Sequence, residues 1–330
     1  MKAIVRSRYG STRVLKLKEV EKPVPGSDEV LVKVYASSVN SWDWDLLRGK
    51  PRIYRLMFGF FKPKHLILGC DIAGKVEVIG DKCQRFKPGD EVYADTSAHG
   101  FGAFAEYVCV PESMVEFRPS TISLAESASL PQAAVLALQG LQRGNLHTGM
   151  KVAINGAGGC CGPIAIQIAK IYDTEITAID RAEKIEFLEN LGADIVVDFK
   201  KSNFLKKKGK YDLILDFMAR RSMFEYMRSL APGGSLVIAG GKIRTILSTL
   251  LMGSILTFFC RLFCGINGKK FLILVHEPSH KVLESVKTLV DSGKVKPVID
   301  SYYTLEHTAE ALKYFGRSKH KGKIVISINA

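Results

Sequence analysis

The amino-acid sequence predicts an α/β protein of two domains, a β domain followed by a doubly wound parallel sheet with helices on both faces. Its 330 residues are enough for about two domains of ~150 residues each. Residues 1–122 contain short runs rich in Val, Ile, Tyr and Ala, separated by turn signals such as Pro-Gly-Ser-Asp at 25–28. After Ser123 short apolar strands alternate with helical stretches, which indicates a parallel sheet.

The first domain is predicted to be a barrel or a sandwich. Its strands are expected over 2–5, 29–35, 75–79, 91–94 and 103–110. Ser123 then suits a helix N-cap, and Glu126, three residues later, completes a capping box. The pattern therefore changes from strand to helix at this point.

The second domain is predicted from a strand, a glycine-rich turn and a helix in direct succession. The apolar run 152–154 suits a buried parallel strand, and a mostly apolar helix begins near Ile164. Pro163 fits the first turn of that helix, where no N–H partner is needed. Further strands are expected over 175–179, 194–197, 211–215, 235–239 and 271–275, with helices over 181–191 and 219–230; a helix over 278–292 and a strand over 323–328 close the chain.

This strand, turn and helix indicate the first half of a dinucleotide-binding unit. The glycines fit G-x-x-G-x-x-G, because Cys161 stands where the third glycine of the strict G-x-G-x-x-G pattern would fall. Glycine allows a tight turn in which backbone N–H groups approach a pyrophosphate, and the helix N-terminus adds a favourable dipole. The residues predicted to form this turn are Gly156, Ala157, Gly158, Gly159, Cys160, Cys161 and Gly162.

The choice between NADH and NADPH depends on the residues that follow the second strand. Asp180 lies about 20 positions after the turn, where a carboxylate accepts the ribose hydroxyls of NADH. Arg181 and Lys184 could instead bind the 2′-phosphate of NADPH. The end of a strand fixes the position of Asp180, whereas Arg181 can turn to solvent. We therefore predict an NAD(P)H cofactor with NADH slightly favoured.

Composition limits the other classes of function. The net charge of +14 comes partly from lysine runs at 200–210 and 317–323, but no nucleic-acid-binding motif accompanies them, so a solvated basic face is expected. The seven cysteines include no C-x-x-C pair, which argues against a zinc ribbon or a redox dithiol. The chain opens like a strand and not like a signal peptide, so a cytoplasmic protein is predicted.

Six motifs together give the chain a resemblance to the medium-chain dehydrogenase/reductase superfamily. They lie at 39–43 (Val-Asn-Ser-Trp-Asp), 68–74 (Leu-Gly-Cys-Asp-Ile-Ala-Gly), 86–92, 102–107, 191–194 and 321–325. The resemblance implies a GroES-like β-barrel catalytic domain over 1–122 and 277–330. It also implies a Rossmann cofactor-binding domain over 123–276.

The chain departs from the zinc alcohol dehydrogenases of that superfamily at the positions that hold their catalytic metal. Those positions carry Asn40, Cys70 with Asp71, and Gln132, which make a poor zinc site. Residues 93–106 also lack the four closely spaced cysteines of the structural-zinc lobe. The resemblance is therefore to the zinc-free quinone oxidoreductase-like and enone reductase-like enzymes, a group that includes the reticulon-interacting mitochondrial oxidoreductases, and no metal ligand is predicted.

The resemblance implies a zinc-independent reductase of quinones, enones or related carbonyls. Asn40 either donates a hydrogen bond to the developing oxyanion or pins its loop, and Asp43 orients Asn40 or a ribose, or makes a local turn contact. Tyr54 either donates a proton, lines the pocket or is a half-buried aromatic residue. Trp42, Cys70 and Gln132 are expected to line the substrate pocket, and Lys323 to lie near the cofactor phosphates.

Two other classes of function stay open, a zinc-type alcohol dehydrogenase and a cofactor-binding adaptor without turnover. The segment 245–260 carries no charge and would form a helix of ~24 Å. It has fewer residues than the ~20 that a membrane-spanning helix needs. We expect it to be buried at the interface of a homodimer or over the substrate cleft. Peripheral membrane contact through this segment is the alternative.

Overall fold

The computed structural model describes residues 1–241 and 268–329, and the chain divides into two compact units. Unit 1 comprises Met1–Val135, Glu277–Gly293 and Pro297–Ala330, and unit 2 comprises Leu136–His276 and Lys294–Lys296. The sequence suggested a division after residue 122. The structure divides later, because the helix that begins after Ser123 contacts strands of unit 1.

The described residues form strands and helices with the following bounds. The strands are β1 (Lys2–Val5), β2 (Lys16–Glu19), β3 (Glu29–Ser38), β4 (Asp71–Ile79), β5 (Glu91–Asp95), β6 (Tyr107–Pro111), β7 (Val115–Phe117), β8 (Lys151–Asn155), β9 (Glu175–Asp180), β10 (Ile195–Asp198), β11 (Tyr211–Asp216), β12 (Leu230–Ile238), β13 (Lys270–Ile273), β14 (Ile299–Thr304) and β15 (Lys323–Ser327). The helices are α1 (Ser41–Arg48), α2 (Tyr54–Phe58), α3 (Leu124–Ser127), α4 (Pro131–Arg143), α5 (Gly162–Lys170), α6 (Ile185–Asn190), α7 (Met223–Ser229), α8 (His280–Asp291) and α9 (Thr308–Phe315).

Unit 1 is built on β3, which is long enough to pair with three other strands. One edge of β3 pairs with β4, and the other edge pairs with β6 through its first half and with β15 through its last residues. The sheet order is β14-β15-β3-β4-β5-β7, and all its pairs are antiparallel except β14 with β15. Val30, Val32 and Val34 alternate into a core shared with Ile72 and Val92. The last strand of the chain thus returns to the first unit.

Unit 2 is a parallel sheet of six strands in the order β10-β9-β8-β11-β12-β13. Counted from β8 this order is 3-2-1-4-5-6, which is the doubly wound order of dinucleotide-binding domains. The order reverses between β8 and β11, and ligands of such sheets bind beyond the carboxyl ends of the strands at that point. The predicted parallel sheet is confirmed, including the short last strand β13.

Several elements differ from the sequence-based prediction. The segment 39–43 is the start of α1 and not a loop, because Asn40 and Asp43 form a capping box. The strand expected over 103–110 begins only at Tyr107, and the helix expected over 181–191 opens with a 3-10 turn at Ala182–Lys184. The segment 245–260 lies outside the described residues. In the parts of the chain that the structure describes, no helix is both long and apolar enough to cross a membrane.

Candidate active site

A capping box at the start of α1 fixes the position of Asp43. The backbone N–H of Asn40 donates to Asp43 Oδ2 at 2.8 Å, and the backbone N–H of Gly69 donates to Oδ1 at 2.9 Å. Asp43 thereby links the start of α1 to the segment that precedes β4. Both N–H groups favour its charged form, but complete burial outweighs them and raises the pKa of this carboxyl to about 7. The bond to the Asn40 backbone is the local contact expected in one interpretation of Asp43, and a role in orienting Asn40 stays a prediction.

A second buried carboxylate, Asp71 at the start of β4, is the centre of a hydrogen-bond network. Its Oδ2 accepts from Ser38 Oγ at 2.6 Å, from Asn40 Nδ2 at 2.8 Å and from Lys323 Nζ at 2.9 Å. Its Oδ1 accepts from the backbone N–H of Gln132 at 2.8 Å. Asp71 and Lys323 are both buried, so this is a fully desolvated ion pair with further hydrogen bonds on the carboxylate.

This network occupies the positions at which the zinc enzymes hold their metal. The ammonium of Lys323 donates to Asn40 Oδ1 at 2.6 Å as well as to Asp71, so a protein cation already bridges two of the matching residues. An ammonium group repels a divalent cation, and amide oxygens are weak ligands for zinc. In the described parts of the chain, no cluster of three or more His, Cys, Asp and Glu residues could hold a metal ion. The donor set therefore does not suit a catalytic zinc.

The network bears on two predicted site residues. The amide of Asn40 donates to Asp71 and accepts from Lys323, which favours the loop-pinning role over donation to a substrate. The Lys323 ammonium lies in the Asp71 network of unit 1, and its expected place near the cofactor phosphates stays a prediction. Asp71 was weighed only as a metal ligand, and its role as the acceptor of this network was missed. Its only signal in the sequence is its place in the segment 68–74.

Gln132 combines a structural contact with an unsatisfied donor. Its backbone N–H holds Asp71, whereas its buried side-chain nitrogen, Nε2, has no hydrogen-bond partner in the part of the chain that the structure describes. A buried donor without a partner costs about 1–3 kcal/mol and calls for an explanation in a native protein. Gln132 lies in the first turn of α4. Its carboxamide therefore has a donor that is available to a ligand oxygen.

Trp42 and Tyr54, expected at the pocket, belong to an aromatic cluster. Their ring centroids are 5.2 Å apart, and Phe58 lies 5.8 Å from Trp42. Burial raises the pKa of the Tyr54 hydroxyl, with a smaller contribution from Asp45, which keeps it protonated. Tyr54 is half-buried, which is its interpretation as a half-buried aromatic residue.

Cys70 is a buried thiol beside carboxylates. Its Sγ lies 3.7 Å from Asp43 Oδ1. Burial, followed by the nearby charges of Asp43, Asp95 and Asp71, raises the pKa of this thiol well above its ordinary value. The thiolate is therefore disfavoured, which suits the expected role of Cys70 as an unreactive residue that lines the substrate pocket.

The glycine turn of unit 2 follows β8, at the point where the strand order reverses. Gly156 has a φ of +84°, a conformation that side chains rarely adopt. A Cβ at Gly162 would overlap the carbonyl oxygen of Ala157, so only glycine allows α5 to begin this close to the turn. Pro163 stands in the first turn of α5, as predicted. This geometry fits a dinucleotide pyrophosphate.

The predicted ribose-binding residues are also brought together. Asp180 Oδ2 accepts from the backbone N–H of Gly158 at 2.8 Å, and Oδ1 accepts from the backbone N–H of Arg181 at 2.9 Å. The buried ammonium of Lys184 donates to the carbonyl oxygen of Gly158 at 2.8 Å and lies 3.8 Å from Asp180 Oδ2. The Arg181 guanidinium lies 3.6 Å from Glu183. Lys184, and not Arg181, is therefore the cation that faces Asp180.

Asp216, at the end of β11, was missed by the sequence analysis. Its carboxylate accepts from Asn155 Nδ2 at 2.9 and 3.0 Å and from Tyr226 Oη at 2.6 Å. These bonds tie the ends of the two strands that flank the reversal of strand order, beside Gly156. The available signal was a buried Asp at a strand end, paired with Asn155 at the end of the adjacent strand.

Comparison with known proteins agrees with both units. Residues 26–119 match the family described as alcohol dehydrogenase GroES-like domain, and residues 191–326 match zinc-binding dehydrogenase. A chloroplastic quinone-oxidoreductase homolog of Spinacia oleracea is 33% identical, with 99% of this chain and 98% of that protein aligned. A chloroplastic NADPH-dependent alkenal/one oxidoreductase of Arabidopsis thaliana is 31% identical over 99% of this chain and 79% of the relative.

The fold is also shared with solved structures. The quinone oxidoreductase of Coxiella burnetii aligns with a TM-score of 0.86 at 24% identity, and 99% of each chain is covered. That identity supports the shared fold alone, whereas the curated relatives are close enough to define the family. The chain belongs to the medium-chain dehydrogenase/reductase superfamily, in the branch of the quinone oxidoreductases and alkenal reductases.

Proposed function

We propose that the protein is a zinc-independent NAD(P)H-dependent oxidoreductase that reduces quinones, enones or related conjugated carbonyls by hydride transfer. The observation that carries this proposal is the Lys323 ammonium, which bridges Asp71 and Asn40 where zinc relatives hold their metal. A conjugated carbonyl spreads the incoming charge over several atoms. A hydrogen-bond donor is then sufficient to stabilise its oxygen, and no Lewis acid is required.

The cofactor site is proposed at the glycine turn of unit 2. The nicotinamide supplies the hydride when the cofactor is bound. Gly156 allows the tight turn and Gly162 lets α5 begin close to it, so the pyrophosphate is proposed to bind at the start of α5, and Asp180 is proposed to accept the ribose hydroxyls. Lys184 partly neutralises Asp180, so the expected preference for NADH over NADPH is small.

The substrate oxygen is proposed to accept a hydrogen bond from Gln132 Nε2. This nitrogen is buried and has no hydrogen-bond partner among the described residues, so a ligand oxygen would satisfy it. The nearby Lys323 ammonium adds positive potential that favours a developing oxyanion, although Asp71 offsets part of it. Asp43 and Asn40 act as positioning residues, because their bonds run to the protein itself.

The experiment is a turnover assay with matched substrates. NADH and NADPH oxidation would be measured with a quinone, with an enone and with the saturated ketone of the same carbon skeleton, and alcohol oxidation with NAD⁺ and NADP⁺. We expect turnover of the quinone or the enone and none of the saturated ketone. Oxidation of a simple alcohol would contradict the proposal in favour of an alcohol dehydrogenase. Cofactor binding without turnover of any substrate would favour an adaptor.

The remaining expectations stay predictions. A homodimer is proposed, and sedimentation equilibrium measures it directly. The curated relatives described above are named as chloroplastic proteins, so they do not support the predicted cytoplasmic location.

A further inference from the structure

The segment 49–70 of unit 1, which joins α1 to β4, has a one-sided charge. It carries five basic residues, namely Lys50, Arg52, Arg55, Lys62 and Lys64, and no Asp or Glu. Such a run of positive charge attracts anionic surfaces. The catalytic and cofactor sites proposed above do not use these residues.

The same segment exposes a concentration of large apolar side chains. Leu56, Met57, Phe60 and Phe61 are 67%, 62%, 59% and 87% exposed, and Ile53 and Leu66 are also exposed. Phe60 and Phe61 contact each other, with ring centroids 4.9 Å apart. Exposed apolar groups scattered singly need no explanation, but a cluster of this kind marks an interaction surface.

The exposed side chains are held toward solvent because the opposite side of the segment packs against the rest of unit 1. Phe58 packs on Trp42. Its carbonyl oxygen accepts from the backbone N–H of Lys64 at 2.8 Å, which closes the turn over residues 58–64. The Tyr9 hydroxyl lies 2.7 Å from the Gly59 carbonyl oxygen, and Gly59 has a φ of +108°. A Cβ at Gly59 would overlap the carbonyl oxygen of Lys62. The turn therefore presents Phe60 and Phe61 at its tip.

We propose that the segment 50–64 docks the protein on an anionic lipid bilayer. Phe60, Phe61, Leu56 and Met57 enter the headgroup region, while the basic side chains on both sides of them contact lipid phosphates. Aromatic and aliphatic side chains beside lysine and arginine are the pattern of surface-bound membrane proteins. This docking is independent of the proposed reductase activity.

The charge of the segment also argues against a second copy of the chain as the occupant. In a two-fold interface the same patch lies on both subunits. Five basic residues would then face five others, with no acidic residue in the segment to compensate. A bilayer that contains anionic lipid supplies both the negative charge and the apolar layer that this surface lacks.

The test is co-sedimentation of the full chain with vesicles of phosphatidylcholine, with and without phosphatidylglycerol. We expect binding that requires phosphatidylglycerol and weakens with salt. The variants F60S/F61S and K62E/K64E should each bind at least about tenfold more weakly, the scale for removing two contacts at a charged membrane surface. Because all four side chains are exposed, thermal unfolding should be unchanged.

Two matched controls come from unit 2. Phe224 is 61% exposed, and Lys206 and Lys207 are exposed in another basic run, so F224S and K206E/K207E should bind vesicles like the wild type. Equal losses in the test and control variants would overturn the proposal in favour of non-specific charge. Binding that is the same with and without phosphatidylglycerol would also overturn it. So would an F60S/F61S variant that becomes monomeric in sedimentation equilibrium while its vesicle binding is unchanged.

Discussion

The buried ammonium of Lys323 dominates the electrostatics of the candidate site at the scale of single residues. It neutralises Asp71, which also accepts from Ser38 and Asn40. When one partner of such a pair is removed, the other charge is left buried and uncompensated. The two residues should therefore be strongly coupled in their contribution to stability.

The first prediction concerns this coupling. The variant K323M should lower the free energy of unfolding by about 3–5 kcal/mol, because Asp71 is then buried without its counter-charge. The double variant K323M/D71N should cost clearly less than the sum of K323M and D71N. Urea denaturation of the wild type, the two single variants and the double variant measures this double-mutant cycle. Additive costs would show that the ion pair does not hold this network together.

The second prediction separates a ligand-binding role of Gln132 from a structural one. In Q132M the backbone N–H that holds Asp71 remains, while the unsatisfied side-chain donor is removed. We expect the stability to be unchanged or higher and kcat for the enone to fall by up to ~10²–10³-fold, the scale for one oxyanion donor. Q142M, in the same helix but exposed, serves as the control. A folded Q132M with wild-type kcat would leave Gln132 as a pocket wall.

The third prediction concerns cofactor choice. A 2′-phosphate about 5 Å from Asp180 would be repelled by ~3 kcal/mol per unit charge at an effective dielectric of ~20, and Lys184 reduces this repulsion. The wild type should prefer NADH slightly in kcat/KM. D180S should shift the preference towards NADPH, and K184M should lower kcat/KM more for NADPH than for NADH. A wild-type preference for NADPH that D180S leaves unmoved would assign the choice to Lys184 or Arg181.

The start of α1 shows how a local element can make stability depend on pH. Asp43 closes the capping box and is completely buried, and its pKa is raised to about 7 from an ordinary value of 3.8. Between these two values the native protein retains a proton that the unfolded chain releases. Stability must therefore fall as the pH rises through this window and level off above about 7.

The fourth prediction follows from this decrease of stability with rising pH. The free energy of unfolding from urea titrations should decrease from about pH 4.5 to 7 by at most ~1.4 kcal/mol per pH unit for this one group. The variant D43N has no titrating carboxyl, so its slope should be smaller. If the slopes of the two proteins coincide, Asp43 is already ionised across this range and burial does not raise its pKa.

The predictability of each element depended on how local its signal is. The strand, glycine turn and α5 were predicted because their residues are adjacent, and Asp180 follows within the same unit. The strand β14 was missed because all its residues stay at least partly accessible, so it shows no apolar alternation. The start of α1 was missed although Asn40 and Asp43 form a capping box, because the segment was interpreted as a loop from the family motif.

At the scale of the whole molecule, the sequence predicted the two folds but not the contacts between distant residues. The β character of unit 1 and the parallel sheet of unit 2 follow from the pattern of strands and helices, whereas the place of residues 277–330 in the first unit was implied by the family resemblance. The strand order of unit 2 is the one that the pattern of a dinucleotide-binding domain implies. The contact of Lys323 with Asp71 joins residues 252 positions apart. Periodicity and motifs carry no information about such a pair, so the sequence identified a poor zinc site without identifying the cation that lies there.

The central claim is that this chain transfers hydride to conjugated carbonyls without zinc, and metal analysis combined with turnover tests it most directly. The purified protein would be analysed for zinc, and NAD(P)H oxidation with the enone or quinone would be measured before and after a strong chelator. Because the Lys323 ammonium bridges Asn40 and Asp71, we expect no stoichiometric zinc and an unchanged rate in chelator. One tightly held zinc per chain, with turnover lost in chelator and restored by zinc, would contradict the claim.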